Sequence, residues 1–360
     1  MSKNEHLFPY LWKLSDGFPA KGMKHHGKKV FSCFCCGGGS SMGYKLAGYD
    51  CLGGVEIDPK VAATYERNLH PKILYNLDIR DFNALEDLHA ELYNLDILDG
   101  SPPCTTFSMA GKREKVWGKE KTFKEGQKKQ RLDDLVFVYC DTIAKLRPKV
   151  CVLENVEGLI RGNGKVYAKR ITEKLTAAGY RVQVFLLNAY NMGVPSYRPR
   201  VFFIGLRNDY DLPLLQLAFN EPPILFGEIT EHENTGDISQ LSPQMRMIFE
   251  NVKPNETSFQ EVLLRKEGRA SGFGQCIFHP HLVAPTFTTR RSTSILSQYP
   301  RRPTFKEVCQ CCTFPIDYRA EKQRDLEFYC GMSVPPVMCA QIANQIFIQW
   351  LSKINDNGND

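Results

Sequence analysis

Short apolar runs, each closed by glycine, proline or a carboxylate, recur along the first 210 residues and alternate with stretches of helical periodicity. The runs at 30–35, 51–57, 97–99 and 150–153 are too short for buried helices and read as strands. Helical spacing marks 44–48, 59–69, 132–146 and 165–178; Asp58 followed by Pro59 is a cap followed by a first-turn proline. Two more apolar runs, 181–187 and 201–206, are joined by a link too short for a crossover helix, so they are expected to pair antiparallel. The whole predicts an α/β chain built on a largely parallel sheet. From about 208 the periodicity fades and Pro, Asp and Asn rise, so 208–285 is expected to be a separate small domain. Residues 1–29 are expected to be an N-terminal arm. Apolar helical spacing returns at 335–350, so 286–360 is expected to rejoin the first domain.

The stretch Asp96-Ile97-Leu98-Asp99-Gly100-Ser101-Pro102-Pro103-Cys104 organises the rest. A buried strand leaves its sheet at Gly100, and two prolines stiffen the exit by fixing φ and removing N–H donors. In open α/β sheets ligands bind beyond the carboxyl ends of the strands. Cys104 stands at such an end, and a thiol held there is a candidate nucleophile rather than a core filler.

Other chemistry falls at other strand ends. After the first strand comes Cys36-Gly37-Gly38-Gly39, a turn that lets backbone approach a nucleotide. Glu56 closes the second strand, where an acid takes the ribose hydroxyls of an adenosine cofactor. Asp78 follows in order, either as an adenine contact or as a loop cap. Glu154 ends the strand at 150–153, as a catalytic carboxylate or a helix cap. Arg198 and Arg200 alternate about Pro199 and are expected to point to opposite faces, one entering a site and the other holding structure.

Charge sharpens this picture. The net charge is +6, and 112–131 holds nine basic residues against three acidic ones, whereas 209–270 holds eleven acidic and five basic. A Lys-rich run eight residues beyond a candidate nucleophile points to a polyanionic substrate; by itself it would be a solvated loop. Thirteen cysteines lie mostly in apolar segments and read as reduced core thiols. Neither 33–36 nor 309–312 has the paired spacing of a zinc site, so no metal is expected. With no apolar run of 18 residues and no secretory leader, a cytoplasmic protein with no membrane partner is expected.

Taken in order, these motifs resemble those of the bacterial and phage DNA (cytosine-5)-methyltransferases, from about 30 to 351. The glycine motif is similar to Phe34-Cys35-Cys36-Gly37-Gly38-Gly39. The Pro-Cys motif is similar to Pro103-Cys104, the Glu-Asn-Val motif to Glu154-Asn155-Val156, and the arginine motif to Arg198-Pro199-Arg200-Val201. The ninth motif is similar to Arg302-Pro303-Thr304-Phe305-Lys306-Glu307 through Phe314-Pro315, and the last to Gly331-Met332-Ser333-Val334-Pro335-Pro336. Cys36 replaces a usual glycine, Thr105 and Ser196 usual glutamines, and Met332 a usual asparagine.

The resemblance implies a Rossmann-like methyltransferase sheet with an antiparallel last hairpin, over 30–207, plus a small target-recognition domain. It implies S-adenosyl-L-methionine as cofactor, held by Phe34, Gly38, Gly39, Glu56, Ile57, Asp78, Ile79, Pro103, Ser333 and Val334. Catalysis is assigned to Cys104, Glu154, Arg198 and Arg200. Cys104 would bond to carbon 6 of a flipped cytosine. Glu154, in a buried setting, would donate to ring N3. Arg198 would hold the base's carbonyl and orient Glu154. Lys112, Arg113 and Lys115 would meet phosphates, and Arg269 and Gln275 base edges. The expected partner is double-stranded DNA, bound as a monomer, with a companion restriction endonuclease possible. Three alternatives stay open: the same chemistry on tRNA, a non-catalytic nucleic-acid-binding relative, and a nicotinamide-dependent dehydrogenase suggested by the glycine turn and Glu56 alone.

Overall fold

A computed structural model describes residues 6–103, 134–162, 164–270, 274–289 and 291–354. They fall into two compact units, one made of 18–187, 199–218 and 339–360 and the other of 1–17, 188–198 and 219–338.

In the first unit the strands are β1 (Lys29–Cys33), β2 (Asp50–Val55), β3 (Ile73–Tyr75), β4 (Ile97–Gly100), β5 (Val150–Val156), β6 (Tyr180–Asn188) and β7 (Pro199–Arg207). They form one sheet in the order β3-β2-β1-β4-β5-β7-β6. The pairs β2–β3, β1–β2, β1–β4 and β4–β5 are parallel, and β7 runs antiparallel to β5. Helices α1 (Gly39–Leu46), α2 (Pro59–Leu69), α3 (Ile79–Ala84), α4 (Leu135–Leu146) and α5 (Gly164–Ala177) connect them. The predicted α/β architecture and antiparallel last strand are present. Asp58 caps α2 by accepting from Lys60 N at 2.8 Å and Val61 N at 3.3 Å. Helix α1 starts inside the glycine turn, five residues before the spacing suggested. The three-residue β3 is too short for its periodicity to be legible in sequence.

Strand alternation divides the core between the two faces of the sheet. Phe31 and Cys33 of β1, Leu98 of β4, and Cys151 and Leu153 of β5 pack with Tyr139, Ile143, Ile171 and Leu175 of α4 and α5. On the opposite face Ser32 and Asp99 meet α1. Tyr44 Oη donates to Asp99 Oδ1 and Ser32 Oγ to Asp99 Oδ2, each at 3.3 Å, and Ser41 Oγ reaches Ser32 Oγ at 3.3 Å and Tyr65 Oη at 2.9 Å. A buried polar chain of this kind fixes the helix that carries the glycine turn, because each member would be costly to leave unpaired.

Residues 18–29 belong to this unit and are not a free arm: Ala20 N donates to Leu46 O, and the His26 ring stacks on Phe347 at 3.9 Å. Residues 339–354 also return here, with Tyr49 Oη donating to Ala343 O and Trp350 Nε1 to Pro213 O, both at 2.8 Å.

The second unit contains the short α6 (Phe226–Ile229), then α7 (Pro243–Asn251) and α8 (Phe259–Glu267), which share a core with β8 (Cys276–Phe278) and β9 (Ser294–Leu296). Helices α9 (Phe305–Cys311) and α10 (Gln323–Met332) follow, and α11 (Pro336–Ile346) starts here. Arg301 grips Glu307 through two 2.8 Å contacts, and Glu307 also completes a capping box with Thr304 at the start of α9. Trp12 Nε1 donates to Thr313 O at 2.8 Å, so 6–17 is attached too. The expected boundaries at 208 and 286 therefore differ from the observed ones. Composition fades where the sheet ends, yet 286–338 packs with 219–285.

Gly100 shows what the central strand demands. A Cβ there would lie 2.5 Å from the Tyr139 ring, whose hydroxyl is placed to donate to Leu98 O (3.0 Å) or Val152 O (2.9 Å). Gly100→Ala should therefore cost about 1–3 kcal/mol of stability by overpacking, read as a lower urea midpoint at unchanged m.

Candidate active site

The parallel pairing of β1, β4 and β5 brings three motif-bearing loops to one edge of the sheet. Cys33 pairs with Gly100, and Gly100 with Leu153, so the chain leaves all three strands side by side. At this edge a cleft open to solvent is lined by Phe34, Val55, Glu56, Ile57, Leu77, Asp78, Ile79, Pro103 and Leu135. Six of the ten residues expected to hold a cofactor line it: Phe34, Glu56, Ile57, Asp78, Ile79 and Pro103. Val55, Leu77 and Leu135 line it as well, and their only local signal is apolarity.

The turn leading into α1 is built by left-handed backbone. Phe34, Cys36 and Gly38 have φ of 57°, 47° and 79°. A Cβ on Gly38 would stand 2.3 Å from Leu69 Cδ1, so glycine is required there on two counts. Gly39 opens α1. Cys36 adopts the conformation that makes glycine common at its position.

Glu56 is the electrostatic centre of the cleft. Its Oε2 accepts from Cys36 N and its Oε1 from Asp58 N, both at 3.0 Å. Burial pushes its carboxyl up to about 7, against the pull of those two donors. Ile57 N–H is a third backbone donor to this carboxyl, which leaves one of its four acceptor positions for a hydroxyl donor. Asp78 lines the cleft and also caps α3, accepting from Arg80 N at 2.8 Å, so the capping and lining readings both hold.

Beneath the cleft, Asp99 is 3% exposed. Burial raises its carboxyl to about 6; the Ser40 hydroxyl opposes this and the charge of Glu154 adds to it.

Glu154 is buried on β5, and Arg200 Nε lies 3.1 Å from its Oε1. The register explains the pair: Glu154 faces Phe202 and Val156 faces Arg200, so the acid and the arginine are diagonal neighbours on one face. Next to it, Asn155 Nδ2 donates to Pro102 O at 3.2 Å. This bond ties the proline exit of β4 to β5 immediately before the candidate nucleophile.

The two arginines divide their work. Arg200, not Arg198, orients Glu154. Arg198 is 2% exposed and donates to Phe287 O at 3.3 Å, Gly331 O at 2.9 Å and Ser333 O at 2.8 Å. Its two terminal nitrogens bind backbone carbonyls of the second unit, while its buried Nε has no partner among the described residues. Residues two apart share a face of a strand; the arginines part because Arg198 precedes β7. Ser333 and Val334 belong to that second unit and are not among the cleft's lining residues.

Cys104, Lys112, Arg113 and Lys115 lie outside the described residues. Arg269 is exposed and pairs with Glu267. Gln275 Oε1 is buried without a partner among the described residues, while its backbone carbonyl accepts from Phe259 N at 3.2 Å. No helix among the described residues is long and apolar enough to cross a membrane.

The sequence model of the C-5 cytosine-specific DNA methylase family matches residues 28–348. The chain belongs to this family. Among curated relatives it is 27% identical to the Type II methyltransferase M.DdeI of Desulfomicrobium norvegicum, covering 91% of each chain. It is also 27% identical to M1.HphI of Haemophilus parahaemolyticus, over 90% of this chain and 86% of that one. Among solved structures, a DNA modification methyltransferase encoded within an E. coli prophage superposes with a TM-score of 0.65 at 18% identity, covering 91% of this chain and all of that one. DNMT2 of Spodoptera frugiperda gives 0.61 at 17% identity, over 89% and 100%. At such identities the two structures testify to the fold alone. The methylase assignment fixes the reaction class as DNA cytosine-5 methyl transfer.

Because the folded state raises the Glu56 carboxyl above its ordinary value of 4.5, it holds a proton more tightly than the unfolded chain does. That stabilisation is full below pH 4.5 and is lost as pH rises through 7. Over this window the wild-type protein should lose about 3 kcal/mol relative to Glu56→Gln, measured as the difference between their urea unfolding curves.

Proposed function

We propose that this methylase transfers a methyl group to carbon 5 of a cytosine flipped out of double-stranded DNA, through a covalent bond between Cys104 and the ring. The observation that carries the reading is the 3.2 Å bond from Asn155 to Pro102 O. It joins the strand bearing Glu154 to the proline turn whose next residues are Pro103, which lines the cleft, and Cys104.

The cleft fits S-adenosyl-L-methionine. Its walls at Phe34, Ile57, Leu77 and Ile79 suit a planar base, Glu56 keeps an acceptor for a ribose hydroxyl, and the turn at Gly38 leaves no room for a side chain. When bound there, this cofactor supplies the methyl group.

The chain's own residues do the rest. The Cys104 thiolate forms a bond to cytosine carbon 6, and the displaced ring electrons make carbon 5 nucleophilic. Glu154, held by Arg200, faces ring N3 as the carboxylic acid and donates its proton there, neutralising the charge that the added thiolate pushes onto the ring. Arg198 positions the segment before β7 by binding three carbonyls. After methyl transfer a water molecule takes the proton on carbon 5, the electrons of that C–H bond restore the 5,6 double bond, Cys104 leaves as thiolate with the electrons of the C–S bond, and N3 returns its proton to Glu154. Nine basic residues within 112–131, Lys112, Arg113 and Lys115 among them, supply positive charge for the phosphate backbone. The Type II relatives support a companion restriction endonuclease with the same target sequence.

Bisulfite sequencing of DNA from cells expressing the protein should reveal 5-methylcytosine at one short sequence; its absence, with methyl transfer to tRNA instead, overturns the DNA reading. With 5-fluorocytosine at the mapped position, wild-type protein should form a covalent adduct. Cys104→Ser should form none and lose turnover by more than about 10³-fold.

A further inference from the structure

We propose that Tyr197, backed by Tyr190, is a stacking platform for a nucleobase unstacked from the DNA strand. The inference rests on the DNA methylation reading and extends it to a contact that none of the motif residues provides.

The two rings lie 6.0 Å apart at an interplanar angle of 17°, and Tyr197 is 51% exposed. A single exposed aromatic needs no explanation. A stacked pair on a rigid segment is different, because its backbone is held on every side while the outer ring stays in solvent. Tyr197 N donates to Ala284 O at 2.8 Å, and Thr286 Oγ1 donates to Tyr197 O at 2.5 Å. Ser196 bridges to Ala284, and Ser196 Oγ donates to Pro285 O at 3.3 Å. On the far side Arg198 is clamped by its three carbonyls. Ala189, Met192 and Val194, all fully buried, anchor the short helical turn that carries Tyr190.

None of this backbone order is needed to bury Tyr197, since its ring is not buried. What it achieves is a fixed presentation of an aromatic face. Tyr190 stacks on the ring, and about half of Tyr197 stays in solvent. The location supplies the ligand class: Tyr197 stands three residues ahead of Arg200, which holds Glu154. Flipping one base unstacks its neighbours, and aromatic side chains recover stacking in a sequence-tolerant way. Tyrosine offers this surface at low entropic cost because it has few rotatable bonds.

Two probes test the proposal: the duplex carrying the site mapped by bisulfite sequencing, and single-stranded oligo(dC), which needs no recognition sequence. Tyr197→Ala should bind each roughly 5- to 140-fold more weakly, with the slope of log affinity against log salt unchanged because no phosphate contact is lost. Tyr197→Phe should bind like wild type. In Tyr197→Trp, either probe should quench emission beyond the change shown by the native Trp12, Trp117 and Trp350. Wild-type affinity in the alanine variant, a phenylalanine variant as weak as alanine, a salt slope lower by about one, or no added quenching would each overturn the platform while leaving the methylation reading intact. A wild-type protein that neither methylates DNA nor binds either probe would overturn both.

Discussion

Parallel pairing of β4 with β1 on one side and β5 on the other is the constraint on which the site depends. Parallel strands in register end together, so the glycine turn after β1, the proline exit of β4 and the acid near the end of β5 leave the sheet at a common edge. Shifting β4 by one residue would send Asp99 into the apolar face and Leu98 into the polar one. The sheet therefore fixes which chemistry can meet at the edge, and the loops only refine the distances.

Polar groups under the edge carry much of that refinement. Asp99 and its hydroxyl donors hold α1 against β1 and β4, while Glu56 draws the left-handed turn at Cys36 onto the end of β2. Both acids are buried, and burial raises both carboxyls. The arrangement is expensive in isolation, since desolvating a carboxylate is unfavourable. It persists because backbone and hydroxyl donors already surround each group. A cleft so organised presents acceptors whose positions do not have to be found when a ligand arrives.

The arginine motif shows how neighbouring residues of one type acquire different work. Arg200 sits on β7 and meets Glu154 through strand register. Arg198, two residues earlier, lies before the strand begins and serves as a donor to three carbonyls. Its planar guanidinium can satisfy several acceptors at once, which a lysine ammonium on a flexible stem would do with less directional order.

Much of this was written in local sequence. The alternation of apolar runs and helical spacing determined the α/β class, the Asp58–Pro59 cap and the antiparallel last strand, because each depends on periodicity or on one or two adjacent residues. The order of Phe34–Gly39, Glu56, Pro103-Cys104 and Glu154 identified the edge of the sheet that matters. Tertiary structure alone decided which arginine faces Glu154, because a two-residue spacing does not say where a strand begins. It also decided that Leu77 and Leu135 wall the cleft, that residues 6–29 are packed, and that 286–338 stays with the second unit. Those outcomes arise from contacts between residues far apart in the chain, whose energies are collective and leave no mark in a local pattern.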